Sequence, residues 1–596
     1  MNMIQERLGN LRRKMQEKGI DIYIVPTADF HQTEYVGEYF KARKYITNFS
    51  GSAGTAVITA DEAKLWVDGR YFIQAERQLL GTTVDMMKIS EPGVPTIEEY
   101  LEQTLKDGGS IGFDGRTVSM SAGNRYEKIA GKKQGRVIYE YDLIGEIWGE
   151  RPALSREAAW LLDEKYAGET AAKKLARIRK YMKENGATVH ILTTLDDICW
   201  MLNMRGNDIE FFPLVLSYAV ITMEQTHLFI DEEKLDDGMK ARFAGDGVML
   251  HPYNEIYEYV KTVERKEAVL IDPARLNYAL ARNLPDGVKK VEKVNPEVQF
   301  KSVKNPVEIE NMRKAQIKDS VAHVRFMKWL KENVGKIRIT EMSASEKLNE
   351  FRMEMGNFIR PSFEPIAAYG GHAALMHYTS TPDTDVELKE GSVFLTDTGA
   401  GFCEGSTDIT RTYALGEIPD VMKEHFTLVV MGHMGLANAR FLHGCTGLNL
   451  DMMARKPLWD RDLDFKCGTG HGMGYLLSIH EPPAGFGWRF RPGDAAVLEE
   501  GMILTNEPGI YIEGSHGVRL ENEILVRKGN ANEYGQFMYF EPLTFIPMDL
   551  DAVKAEMLPE ETRLQLNDYH KKVYEKLAPY LDDDEKAWLR KYTRAI

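Results

Sequence analysis

The sequence predicts a mixed α/β (α+β) chain in which two related αβ domains precede a larger domain that carries the chemistry. Two observations predict it. The first half contains an internal repeat of a helix, a glycine and a β-type run, and the second half alternates β-type runs with Gly-rich turns after one long amphipathic helix. At 596 residues the chain is also too long for a single core.

The repeat is read directly. ERLGNLRRKMQEKGIDIYIVPTAD, from Glu6, resembles KKLARIRKYMKENGATVHILTTLD, from Lys173, so that Met15 aligns with Met182, Gly19 with Gly186 and Asp29 with Asp196. Further on, AVITADEAKLWVD from Ala56 matches AVITMEQTHLFID from Ala219. Each copy opens with apolar positions at helical spacing and passes through glycine into a short strand-like run. The two αβ domains are expected over residues 1–155 and 156–300, with the join near IWGERPALSRE, where Gly and Pro break the pattern. A third domain is expected over 301–536, opened by a helix that starts after Pro306, and a C-terminal extension of that domain over 537–596.

Composition excludes several classes of function. A hydrophobic fraction of 43% with 28% charged residues is ordinary globular usage, and a formal charge of −15 argues against nucleic acid as a partner. No stretch is long and apolar enough for a membrane span, and MNMIQERLGNLRRKMQEKG has no apolar signal region. Cys199, Cys403, Cys445 and Cys467 make no C-x-x-C pair, which fits neither a disulfide framework nor a thiolate zinc site. A cytoplasmic protein is expected.

Chemistry concentrates in three segments of the second half. LTDTGAGFCEGSTDITRT holds Asp397 and Asp408, CGTGHGMG holds His471, and TNEPGIYIEGSHGVRLENE holds Glu507 and Glu521. Reading the first segment as a hairpin, with strands over 393–398 and 407–413, sets Asp397 and Asp408 opposite each other, where side chains lie about 5 Å apart. Facing carboxylates repel, and a cation between them removes the conflict. Glu507 and Glu521 are symmetric about Gly514, so a folded-back ribbon again pairs two acids. Hard carboxylate ligation with one imidazole favours Mn2+, Fe2+, Co2+ or Zn2+, and two such ions can activate water toward an amide. GTGHGMG lacks the Walker lysine and the dinucleotide-binding spacing, and there is neither a G-x-S-x-G elbow nor an H-E-x-x-H helix.

These segments, with GGHAALMHY and GTGHGMGYLLSIHEPP, resemble the pita-bread metallopeptidases, and the whole chain resembles the long, three-domain form of the aminopeptidase P (Xaa-Pro aminopeptidase) family. NFSGSAGTAVITADEAKLWVDGRYFIQAE is similar to that family's first domain, TTLDDICWMLNMRGNDIEFFP to its second, and FEPLTFIP to the extension of the long form. The resemblance implies two creatinase-N-like αβ domains, a pita-bread catalytic domain, and two divalent ions, Mn2+ first with Zn2+ or Co2+ possible, on Asp397, Asp408, His471, Glu507 and Glu521. It implies hydrolysis of the N-terminal Xaa-Pro bond of a peptide by two-metal-activated water, with Glu507 as proton carrier, and a homodimer.

The resemblance further implies that His377 would contact substrate near the scissile bond and that His480 would stabilise the oxyanion. By the same resemblance Arg519 would orient a metal-bound carboxylate, and Arg70, in DGRYF, is a candidate substrate contact from the first domain. One position departs from the family pattern. Cys467 stands where many members carry a histidine lining the proline pocket, which puts the pocket's detail in doubt rather than the metal ligands. The nearest rival is prolidase, which cleaves Xaa-Pro dipeptides only, and a more distant one is an inactive pita-bread binding module. The long form disfavours the first, and retention of all five ligands disfavours the second.

Overall fold

The computed structural model describes residues 3–490, Gly493 and residues 495–596. It divides into two compact units, Met1–Leu162 with Glu169–Glu297, and Asp163–Gly168 with Val298–Ile596.

The first unit contains the repeat as two six-stranded sheets of one topology. The first sheet runs Asp85–Lys88, Ala63–Val67, Thr55–Thr59, Ile22–Pro26, Ser110–Phe113, Arg136–Ile138. The second runs Val248–His251, Thr226–Ile230, Ser217–Thr222, Val189–Leu192, Ala268–Ile271, Lys289–Glu292. Strand directions match position by position, antiparallel in the hairpins and parallel at both flanks. The opening helices, Met3–Lys18 and Ala171–Glu184, bury Ile4, Leu8, Leu11 and Met15 in one copy and Leu175, Ile178 and Met182 in the other. The aligned glycines have one backbone role. Gly19 (φ +64) and Gly186 (φ +66) take the left-handed conformation that ends each helix and turns the chain into its strand.

The second unit opens on the helix Pro306–Asn333, with Pro306 in its first turn and Asn305 and Glu308 forming a reciprocal cap. A second helix, Glu341–Glu354, packs beside it. Three strands, Ile366–Tyr369, Ser392–Thr398 and Ile409–Leu415, form one antiparallel sheet. A six-stranded sheet runs Arg440–Leu442, Gly535–Pro542, Asn522–Asn532, Ile503–Asn506, Gly470–Met473, His480–Phe486. The last sixty residues belong to this same core. Gly535–Pro542 is a strand of the sheet, and Phe545, Met548, Leu566, Val573 and Leu589 pack with Val321, Val324 and Val429.

One short piece departs from the expected order. Residues 163–168, placed by sequence in the second αβ domain, belong to the second unit. The side-chain amide of Asn311 donates to Lys165 O at 3.1 Å, and that of Asn305 to Ala167 O at 2.9 Å, so the cap of the long helix also satisfies the carbonyls of the helix Glu164–Ala167. Gly168 ends that helix at φ +69, and a Cβ there would lie 2.4 Å from Asn305 Oδ1. Gly168→Ala is therefore expected to destabilise the chain by at least the left-handed penalty of about 1–2 kcal/mol. Urea unfolding of the variant against the parent checks this.

Candidate metal centre

The ribbon that carries both glutamates keeps one register over its whole length. Ile503–Asn506 pairs with Asn522–Leu525 and Gly509–Ile512 with His516–Arg519, with Asn506 opposite Asn522 and Gly509 opposite Arg519. Gly514 (φ +71) turns the tip. Glu507 and Glu521 therefore face each other in the gap between the two ladders, as the symmetry about Gly514 predicts.

The aspartate segment folds differently from the expected simple hairpin. Thr398 pairs with Ile409 and Asp397 with Thr410, a register shifted by two from the expected one, so Asp408 lies at the level of Gly399, between two ladders, rather than opposite Asp397. Both legs then cross together into a separate sheet in the same register, Gly401 opposite Ser406 and Phe402 opposite Gly405, where Ala400–Phe402 also pairs with Phe358–Pro361. Asp408 is held instead by its backbone, whose N–H donates to Glu523 Oε1 at 2.9 Å.

These elements bring Asp408, His471 and Glu521 together, with one donor atom from each lying within 4.8 Å of the others. His471 Nε2 is 3.4 Å from Asp408 Oδ2 and 3.7 Å from Glu507 Oε1. His471 Nδ1 lies 3.0 Å from Gly472 O, a contact that assigns the proton to Nδ1 and leaves the Nε2 lone pair facing the carboxylates. Asp397 Oδ2 accepts from Arg519, while its buried Oδ1 takes no hydrogen bond among the described residues. Asp408 and Glu521 form the buried floor; Glu507, His471, His480 and His377 keep partial exposure.

Electrostatics make this a site that wants positive charge. Burial, then the charges of Asp397, Glu507 and Glu523, push the Asp408 carboxyl well above the usual carboxylate range. Burial, then Asp408, Glu507 and Asp397, do the same to Glu521. Glu507 is raised by enclosure despite the opposing influence of His471 and Arg519. The oxygen-rich donor set, the orphaned Asp397 oxygen and the imidazole lone pair all fit hard divalent cations.

The supporting side chains are only partly those the sequence suggests. Arg519 spans Asp397, Tyr511 and Met376 O, so it touches both a candidate ligand and the residue preceding His377. His480 stacks edge-on to His471 with ring centroids 4.2 Å apart. Cys467 sits partly exposed on the chain leading to His471, its carbonyl accepting from Arg455 at 2.6 Å. Arg70 belongs to the first unit, where it forks onto Asp68 at 2.9 and 2.8 Å. Sequence reasoning missed Thr410, whose hydroxyl donates to Glu521 Oε2 at 2.6 Å, and Thr505, which accepts from His471 N and donates to Glu507. It also missed Glu523 and Arg411. Arg411 is 1% exposed and donates to Glu521 O, Asn522 Oδ1, Ile546 O and the Tyr569 hydroxyl. Only the true register would have flagged Thr410, because it sits opposite Asp397.

Comparison with known proteins decides the family. Residues 7–138 and 150–308 match the creatinase/prolidase N-terminal domain, 310–528 the metallopeptidase family M24, and 536–596 the C-terminal region of that peptidase family. Aminopeptidase P2 of Arabidopsis thaliana is 35% identical across 100% of this chain and 89% of its own length. The chain belongs to the aminopeptidase P family. A probable Xaa-Pro aminopeptidase P of Coprinopsis cinerea is also 35% identical, covering 99% of this chain and 98% of its own. The crystal structure of X-prolyl aminopeptidase from Caenorhabditis elegans, described as a cytosolic enzyme with a di-nuclear active site, superposes with a TM-score of 0.95 at 33% identity over 100% of both chains. A Xaa-Pro dipeptidase from Bacillus anthracis reaches a TM-score of 0.51 at 25% identity and covers 64% of this chain and 99% of its own. The expected architecture, two creatinase-like αβ domains followed by an M24 domain, is thus borne out.

Cation binding must displace the protons that burial and repulsion favour on Asp408, Glu521 and Glu507. Because the folded carboxyls titrate above their unfolded values, the apo protein loses this contribution to stability as pH rises above the ordinary carboxylate range. Divalent ions are therefore expected to bind with proton release and to raise Tm more at pH 8 than at pH 6. Calorimetry in two buffers of different ionisation enthalpy, with melts at both pH values, measures this.

Proposed function

We propose that the chain is a metal-dependent aminopeptidase that hydrolyses the bond between an N-terminal residue and a following proline. The observation that carries this is the convergence of Asp408, His471 and Glu521 with Glu507, in a chain matched end to end by an X-prolyl aminopeptidase. Asp397, Asp408, His471, Glu507 and Glu521 would hold two divalent ions. Mn2+ is the proposed pair, since carboxylate-rich donors suit it, with Zn2+ and Co2+ as competitors. Bound there, the ions would supply Lewis acidity and lower the pKa of water.

The protein's own groups then divide the work. Glu507, partly exposed and with its carboxyl raised, accepts a proton from the attacking water and delivers it to the prolyl nitrogen. That nitrogen belongs to a tertiary amide without an N–H, so the site owes it no acceptor. His480, beside His471, donates to the developing oxyanion, and His377 contacts the substrate near the scissile bond. Arg519 holds Asp397 in place from behind. Cys467 lines the proline pocket, and Arg70 is retained as a candidate substrate contact.

The reading covers four domains as the sequence divides them, a cytoplasmic location and a homodimer. The four cysteines are all free, which suits a reducing compartment. No helix among the described residues is long and apolar enough to cross a membrane. A second copy of the chain has an apolar face to meet. Leu448, Met452 and Trp459 recur on one side of the helix Gly447–Trp459, and Trp459 packs edge-on to Trp488, with Phe490 68% exposed nearby in sequence. Trp488→Glu is expected to convert a dimer to a monomer in light scattering.

The activity test compares an Xaa-Pro-Pro peptide with an Xaa-Pro dipeptide on protein stripped of metal and reloaded with Mn2+, Zn2+ or Co2+. The tripeptide is expected to be cleaved in a metal-dependent way; exclusive dipeptide cleavage would make the enzyme a prolidase, and no cleavage a binding module. His480→Ala is expected to lower kcat by about 100-fold or more with metal content unchanged. Steady-state kinetics alongside metal analysis check it.

A further inference from the structure

The helices Pro306–Asn333 and Glu341–Glu354 meet in a fully buried ion pair beneath the aspartate segment. Arg352 Nε lies 2.8 Å from Asp319 Oδ1 and Arg352 Nη2 3.1 Å from Asp319 Oδ2. Neither residue is exposed at all. A buried pair of this kind adds little stability over well-packed apolar residues, so its value is better sought in what it specifies.

Each partner also reaches one leg of the segment. Arg352 Nη2 donates to Thr398 Oγ1 at 3.0 Å, and Asp319 Oδ2 accepts from the Thr407 hydroxyl. Thr398 directly follows Asp397, and Thr407 directly precedes Asp408. The pairing of Thr398 with Ile409 ends one ladder and the next begins where Thr407 N donates to Ala400 O at 2.8 Å, so the two hydroxyls brace the level of Gly399 and Asp408 between the ladders. Thr407 is fixed on its other sides as well: its Oγ1 accepts from Ala400 N at 2.8 Å and its carbonyl from the Ser362 hydroxyl at 2.7 Å. His323 stands 3.3 Å from Arg352, and burial lowers its imidazole to about 3, so it stays neutral and leaves the guanidinium charge to Asp319.

We propose that the Asp319–Arg352 pair acts as a spacer that, through Thr398 and Thr407, sets the separation of Asp397 and Asp408 and thereby the affinity for the second metal ion. Asp319, Arg352, Thr398 and Thr407 are positioning residues; the pair acts on the ligands only through the two hydroxyls. The inference rests on the two-metal reading above.

The test uses Thr407→Val, which removes the hydroxyl at nearly constant volume, Thr407→Ser, which restores it, and Thr398→Val, which removes the acceptor of Arg352. Mn2+ titration calorimetry gives stoichiometry and affinity on the full-length protein, and low-temperature electron paramagnetic resonance reports whether two Mn2+ ions are spin-coupled. The parent chain and Thr407→Ser are expected to bind two coupled ions. Thr407→Val and Thr398→Val are expected to hold one ion at close to the parent affinity, to bind the second at least tenfold more weakly, within the range typical of supporting contacts behind metal ligands, and to lose the coupled signal. A parent chain with two coupled ions and valine variants indistinguishable from it would overturn the proposal alone. A parent chain that binds no coupled pair would overturn the two-metal reading and this proposal with it. Should one valine variant fail to fold, the other decides the outcome.

Discussion

The structure around the site is organised against one repulsion. Asp397, Asp408, Glu507 and Glu521 converge, and burial together with their mutual repulsion raises the proton affinity of Asp408, Glu507 and Glu521. Such a cluster stays together only if the backbone that carries it is over-determined. The ribbon folded about Gly514 holds the glutamates in one continuous register. Arg519 brings the one guanidinium that reaches a carboxylate of the cluster directly among the described contacts. Further fixed points come from Glu523 on the Asp408 amide and from Thr410 and Thr505 on the glutamates. The result is a donor set held by the protein's own register and hydrogen bonds.

The C-terminal segment takes part in this arrangement. Arg411, on the strand Ile409–Leu415, binds the carbonyls of Glu521, Ile546 and Pro547 and the hydroxyl of Tyr569. Asp549 accepts the amide of Ala414 on that same strand, at 2.8 Å, and pairs with Lys331 of the long helix. An edge strand that would otherwise present free amide groups is therefore completed by side chains and carbonyls from the end of the chain. Residues 536–596 thus brace the strand that connects Asp408 to the core, which explains physically why they share a core with the catalytic domain.

Much of this was legible before any coordinates. The repeat was visible because a helix, a left-handed glycine and a strand leave a strong local imprint, and Gly19 and Gly186 carry it. The glutamate ribbon was legible because a two-stranded turn obeys a simple symmetry. The aspartate segment was legible as a hairpin but not in its register, since both legs cross together from one sheet into a second, and nothing local to Gly399–Ser406 encodes the partner strand Phe358–Pro361. The packing of the helix Glu164–Ala167 with the second unit is hidden for the same kind of reason: its carbonyls are satisfied by Asn305 and Asn311, far along the chain.

By itself, then, the sequence determined the residue types of the metal centre, the tandem αβ architecture and the family, because ligand chemistry and short-range periodicity are written in consecutive residues. Tertiary structure alone decided how the ligands meet. It set Asp397 opposite Thr410 rather than opposite Asp408, and it recruited Glu523, Arg411, Asp319 and Arg352 as supports. It also left Glu507 and His480 on the accessible side of a buried floor. Those outcomes depend on contacts between segments tens to hundreds of residues apart, and the free energy of such contacts comes from burial and register that no single segment contains.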